Sequence, residues 1–168
     1  MPTPTWTPTP TATRTPTPTP TSNSSDADGD TIADSVDPDD DNDGCTDVAE
    51  EATTPGSQST GGLRDPLSFW DFMDVPAGSP ATRDKTVTIG DIGAVVARFG
   101  AFRDPPPDAQ EAFVEALTSP PAAPAYHAAY DRGGSIPGQN LWNLLPPDGS
   151  IGISDIGAAV AQFGHTCA

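Results

Sequence analysis

The chain has 168 residues, a formal net charge of −17 and 21 prolines, which leaves room for one small core at most. With seven Lys and Arg against 24 Asp and Glu it has no basic surface for phosphate, so nucleic acid is excluded as a partner. No run of about 18 apolar residues occurs, and the sequence therefore offers no membrane-spanning helix.

Met1 leads directly into PTPTWTPTPTATRTPTPTPT, which has neither the charged start nor the apolar centre of a signal peptide. The chain is therefore expected to be the C-terminal piece of a longer secreted protein, or the product of a mis-started reading frame. Residues 1–23 form a Pro/Thr-rich linker. Proline at nearly every second position fixes φ and removes donors, so the tract is expected to be a disordered, extended stalk of roughly 3 Å per residue. Threonines beside prolines also suit O-glycosylation. Trp6 and Arg14, which interrupt the repeat, read as drift within a linker.

Residues 24–52 hold the densest charge, DADGDTIADSVDPDDDNDGCTDVAE, with no Lys or Arg in it. Acids without register read as a solvated tail. These acids have register. A calcium loop places ligands at positions 1, 3, 5, 9 and 12 and a sharp turn at position 6, because alternate residues of a tight loop point at one centre. Set on Asp39, that ruler meets Asp39, Asp41, Asp43, Asp47 and Glu50, with Gly44 at the turn. Set on Asp26 it meets Asp26, Asp28, Asp30, Asp34 and Asp37, with Thr31 in the glycine position. The spacing predicts Ca2+ as the ion. Residues 26–51 resemble a pair of thrombospondin type 3 repeats, built of DxDxDGxxDxxD/E units around calcium with almost no hydrophobic core. The resemblance implies an extracellular setting and a structural or adhesive role.

Residues 53–62, TTPGSQSTGG, are a polar connector. From residue 63 apolar residues gather, and 63–168 is the only stretch able to form a packed domain. It contains a duplication: residues 84–100, DKTVTIGDIGAVVARFG, match residues 148–164, DGSIGISDIGAAVAQFG, at an offset of 64. In each copy a helical stripe follows a short alternating stretch: Ile92, Val95, Val96 and Phe99, then Ile156, Ala159, Val160 and Phe163. Gly100 and Gly164 act as stops. Helices of about ten residues are not stable alone, so the two are expected to pack together with Phe99 and Phe163 in one core.

Ahead of these helices Asp84 and Asp148 fall at position 5, and Asp91 and Asp155 at position 12, of a calcium loop whose positions 1 and 3 are missing. If residues are inserted within each loop, Asp74, Asp84 and Asp91 form one site and Asp131, Asp148 and Asp155 another. Asp91 and Asp155 also suit a helix N-terminus without any metal. The repeated D(G)xVxIxDIxxVVxxFG unit resembles the dockerin fold, two calcium loop-helix segments packed in near two-fold symmetry. That resemblance implies a cohesin-like protein partner contacting Ile89, Gly90, Ala97 and Arg98 and their counterparts Ile153, Ser154, Ala161 and Gln162. Of these, Arg98 and Ser154 are of the residue type such contacts use.

Between the copies, Asp108 caps a further helix, Glu111 completes a capping box, and Ala109, Ala112, Phe113, Ala116 and Leu117 form its apolar face up to Pro120 and Pro121. Tyr126, Tyr130 and Trp142 are expected to cover the core from a long loop. His127 and His165 read as surface residues, and no nucleophile, nucleotide loop or zinc spacing accompanies them, so the chain reads as non-catalytic. Two cysteines in an extracellular chain predict a disulfide, Cys45 to Cys167. The expected fold is thus small and mainly α: irregular calcium-wrapped acidic loops joined to a dockerin-like pair of loop-helix repeats. The expected function is a structural or adhesive module of a secreted or cell-surface protein. The alternative is a dockerin-type module attaching a polysaccharide-degrading enzyme to a cohesin-bearing scaffold.

Overall fold

The computed structural model describes residues 25–52, 63–138 and 143–167. The expected stalk, the connector and Trp142 lie outside the described residues. The fold is small and loop-rich, with short helices and, among the described residues, no strand beyond isolated bridges.

Residues 25–52 form two turns that repeat at an offset of thirteen. Asp28 Oδ1 accepts from Asp30 N, and Asp41 Oδ1 accepts from Asp43 N. Asp30 accepts from Ile32 N and Asp43 from Cys45 N; Asp34 accepts from Ala27 N and Asp47 from Asp40 N. Thr31 and Gly44, the two turn positions, both have positive φ, +82° and +101°. The second turn runs into a single helical turn, α1 (Asp47–Glu50).

The remainder is built on α2 (Ile89–Val96), α3 (Ala109–Ala116), a 3-10 turn (Ala128–Tyr130) and α4 (Ile153–Ala161). Thr88 caps α2 by accepting from Gly90 N, while Asp91 Oδ2 accepts from Thr88 N. The equivalent carboxylate of α4, Asp155, accepts from Gly152 N. Gly100 and Gly164 follow the helices at φ +84° and +87°, a backbone conformation that favours glycine.

The two copies hold each other by the backbone. Gly100 N donates to Ile151 O and Ile151 N to Ala101 O; reciprocally, Gly164 N donates to Val87 O and Val87 N to His165 O. Each loop is thus finished by the helix end of the other copy. Helices α2 and α4 pack on one another, with Val95 and Ala159 fully buried. Their core partners come from the aromatic stretch Phe69, Trp70, Phe72, Met73 and Val75, with Val87, Tyr130 and Ile151. Phe69 meets Trp70 and Phe113 edge-on at 5.0 and 4.9 Å.

The buried face of each repeat helix is the predicted one only in part: Val95 and Ala159 are buried and Ile92 and Ile156 pack against the core. Phe99 and Phe163 are each 60% exposed, and Val96 and Val160 are also exposed, so the phenylalanines share no core. Asp91 and Arg98 face inward beside Val95, and Asp155 and Gln162 beside Ala159. The reason is polar. Asp91 and Asp155 take backbone amides from the segments beneath, Arg98 lies over the Tyr130 ring at 3.8 Å, and Gln162 bridges Met73 N and Asp71 O. Satisfying those buried groups turns the helices away from the face that apolar spacing alone selects.

Helix α3 packs against the 3-10 turn, burying Ala112 and Ala116. Asp108 Oδ1 caps it from Glu111 N, but Glu111 turns to Arg103 at 3.1 Å rather than closing a box, and Leu117 is exposed. Tyr130 is buried with its hydroxyl donating to Pro76 O, and Tyr126 donates to Asp131. Both histidines are buried, contrary to the surface placement expected of them. His127 Nδ1 accepts from Ala129 N and its Nε2 lies 3.2 Å from Thr118 Oγ1, while His165 Nδ1 lies 3.1 Å from Arg64 Nη2.

Candidate metal centre

Asp41, Asp43 and Glu50 from the acidic segment and Asp71 from the aromatic stretch bring one oxygen each within 4.8 Å of one another. All four residues are buried. The alternation of Asp41 and Asp43 in a tight turn aims both inward, and α1 carries Glu50 back over them. Asp71 is set by the turn Ser68–Asp71 and by Oδ2, which accepts from Asp65 N at 2.7 Å.

The remaining oxygens lack donors. Asp41 Oδ2, Asp43 Oδ2, Glu50 Oε1 and Oε2, and Asp71 Oδ1 are buried with no hydrogen-bond partner. None of the four carboxylates forms an ion pair within 4.0 Å among the described residues. Arg64 comes nearest in charge, but its guanidinium is directed at the sulfur of Cys45 (3.3 Å), at Gln162 and at the Phe72 ring. Without a cation the group resists ionisation. Burial, then Asp43, Glu50 and Asp71, pushes Asp41 up to about 11, and burial, then Asp43 and Asp71, pushes Glu50 up to about 9. Burial raises Asp43 and Asp71 as well. Donor-free oxygens converging in a buried site are what a hard cation requires, so the residues present could hold a metal ion.

A second group, Asp26, Asp28 and Asp30, also brings its oxygens within 4.8 Å, but on the exposed part of the first turn. Asp34 and Asp37 stay outside it, holding Ala27 N and Asp39 N. In the second turn Asp47 is spent on Asp40 N, and Asp39 stands beside the buried group, lifted to about 6 by burial and by Asp43.

The two aspartate triads of the duplicated domain are assembled alike. Asp74 accepts from Asp84 N and Lys85 N (3.3 and 2.6 Å), and Asp131 from Asp148 N and Gly149 N (3.3 and 2.8 Å). Asp91 accepts from Val75 N and Asp155 from Arg132 N, each joining its helix start to the residue after the upstream aspartate. Lys85 and Gly149 have positive φ, +65° and +92°, as at the turns of the acidic segment. Here every oxygen of Asp74, Asp91, Asp131 and Asp155 receives an amide or hydroxyl. Neither triad is among the groups whose ligand atoms all lie within 4.8 Å of one another.

Cys45 and Cys167 are disulfide-bonded, with Cα atoms 4.9 Å apart, so the acidic segment is tied to the tail beyond α4. Asp71 is the residue that sequence spacing missed. Its signal was an acid inside FWDFMD, in a stretch destined for the core, where an unpaired carboxylate demands a partner. Arg132 was missed likewise: it is fully buried and donates to the carbonyls of Trp70, Phe72, Ala129 and Asp131. No described helix is long and apolar enough to cross a membrane. Comparison with family models, with characterised proteins and with solved structures finds no match.

Proposed function

We propose that the chain is a calcium-binding, non-catalytic module of a secreted or cell-surface protein, with a structural or adhesive role. The observation that carries this reading is the buried set of donor-free oxygens at Asp41, Asp43, Glu50 and Asp71. Calcium is favoured over softer metals because Asp41, Asp43, Glu50 and Asp71 all offer carboxylates, no histidine joins them, and the Cys45 sulfur near Asp43 and Glu50 is taken up in the disulfide. The turn positions Thr31 and Gly44, both at positive φ, add the loop shape that calcium sites use. The disulfide is compatible with an extracellular location. The test is calorimetry with circular dichroism in calcium and in chelator: binding heat and calcium-dependent ordering are expected. Neither heat nor spectral change would end the reading.

A second reading, a dockerin-type module docking onto a cohesin-bearing scaffold, draws support from one feature. The duplicated helices leave Ile89, Val96 and Phe99, and at equivalent places Ile153, Val160 and Phe163, exposed. Arg98 and Gln162 are buried and so drop out of the partner contacts this reading implies. Surface plasmon resonance against cohesin domains, with Ile89→Asp and Ile153→Asp as controls, separates the two readings.

A further inference from the structure

We propose that Asp71 is a ligand of the ion held by the turn Asp39–Glu50, which makes the metal a joint between the acidic segment and the helical domain. This rests on the calcium reading above and adds a ligand from outside the acidic run. Asp71 is fully buried, and its two oxygens have separate duties: Oδ2 takes the Asp65 amide at 2.7 Å, while Oδ1 has no donor and belongs to the group with Asp41, Asp43 and Glu50. Its carbonyl accepts from Gln162 Nε2 at 2.7 Å, so its backbone is anchored to the end of α4. Trp70 and Phe72 on either side are core residues. A carboxylate this immobile cannot swing out to water when the metal leaves, and Arg64, whose charge acts on it from a distance, forms no ion pair with it within 4.0 Å. The acidic segment by itself supplies Asp41, Asp43 and Glu50; Asp71 brings a fourth carboxylate to a cation that takes six to eight oxygens. The joint lies close to the Cys45–Cys167 bond, since Cys45 N donates to Asp43 within the same turn.

The test uses the full chain with calcium alone as the probe. Asp71→Asn keeps an acceptor for the Asp65 amide and removes the charge. Calcium affinity should fall about tenfold or more, since even indirect partners of metal ligands cost that much. The rise in melting temperature on adding calcium should shrink, while the variant in chelator melts no lower than the parent. Asp41→Asn serves as the positive control. If Asp41→Asn loses affinity and Asp71→Asn binds as the parent does, Asp71 is no ligand and the calcium reading survives. If Asp71→Asn lowers the melting temperature in chelator and leaves the affinity unchanged, its role is structural and the proposal falls. Absence of calcium binding by the parent would remove the underlying reading as well. A second measurement reads the joint itself: with a protease site placed in residues 53–62, the cleaved and reduced protein should stay together in calcium and separate in chelator. Separation in both would overturn the joint.

Discussion

Replacing Cys45 and Cys167 together by alanine tests how the two halves are united. The bond spans a sequence separation of 122. Closing a loop of that length restricts the unfolded chain by about 5 kcal/mol on the chain-entropy relation, and measured values commonly fall below it. Cys45 is fully buried and Arg64 Nη1 lies 3.3 Å from its sulfur, so truncation also strands part of a buried guanidinium. The expected loss is about 3 to 5 kcal/mol in urea unfolding at saturating calcium. The slope of the transition should steepen, because an uncrosslinked unfolded chain exposes more surface. A loss below about 1 kcal/mol with an unchanged slope would show that the bond does not constrain the protein in solution.

The remaining predictions are local. Thr31→Gly relieves a β-branched residue at φ +82° and should stabilise the first turn by about 1 kcal/mol, read as tighter calcium binding there. In chelator, folded-state values of about 6 for Asp39, 9 for Glu50 and 11 for Asp41 lie above those of the unfolded chain. The folded state therefore holds extra protons, and thermal melts should show stability falling as pH rises from about 5 to 9, with calcium opposing the fall. Val95→Ala should cost about 2 kcal/mol, whereas Phe99→Ala at an exposed position should change stability by less than about 0.5 kcal/mol; chemical denaturation of both variants decides which helix face is buried.

Much of the local architecture was legible because it is written in short-range chemistry. Alternating aspartates dictate Asx turns, so the register of Asp28 with Asp30 and of Asp41 with Asp43 could be read directly. The duplicated helices announced their starts through Asp91 and Asp155 and their ends through Gly100 and Gly164. The buried face was legible only in part: Val95 and Ala159 were found, their polar neighbours were not. Apolar spacing selected Phe99, yet the inward positions belong to Arg98 and Gln162, whose partners Tyr130, Met73 and Asp71 lie far off in sequence. Asp71 was hidden for the same reason: it reaches the acidic turn through the tertiary fold, and no ruler laid along the chain spans that distance.

The exchange of backbone bonds between the copies has a consequence for how such a domain can change. Among the described residues, the backbone groups of Val87 and Ile151 pair only with the other copy. A chain carrying one copy would present an open seam with unmet amides and carbonyls, and the only surface shaped to close it would be the same seam on a second chain. Deleting a repeat would therefore produce a symmetric homodimer or an unfolded chain, and the covalent duplication keeps that association within one molecule at any concentration.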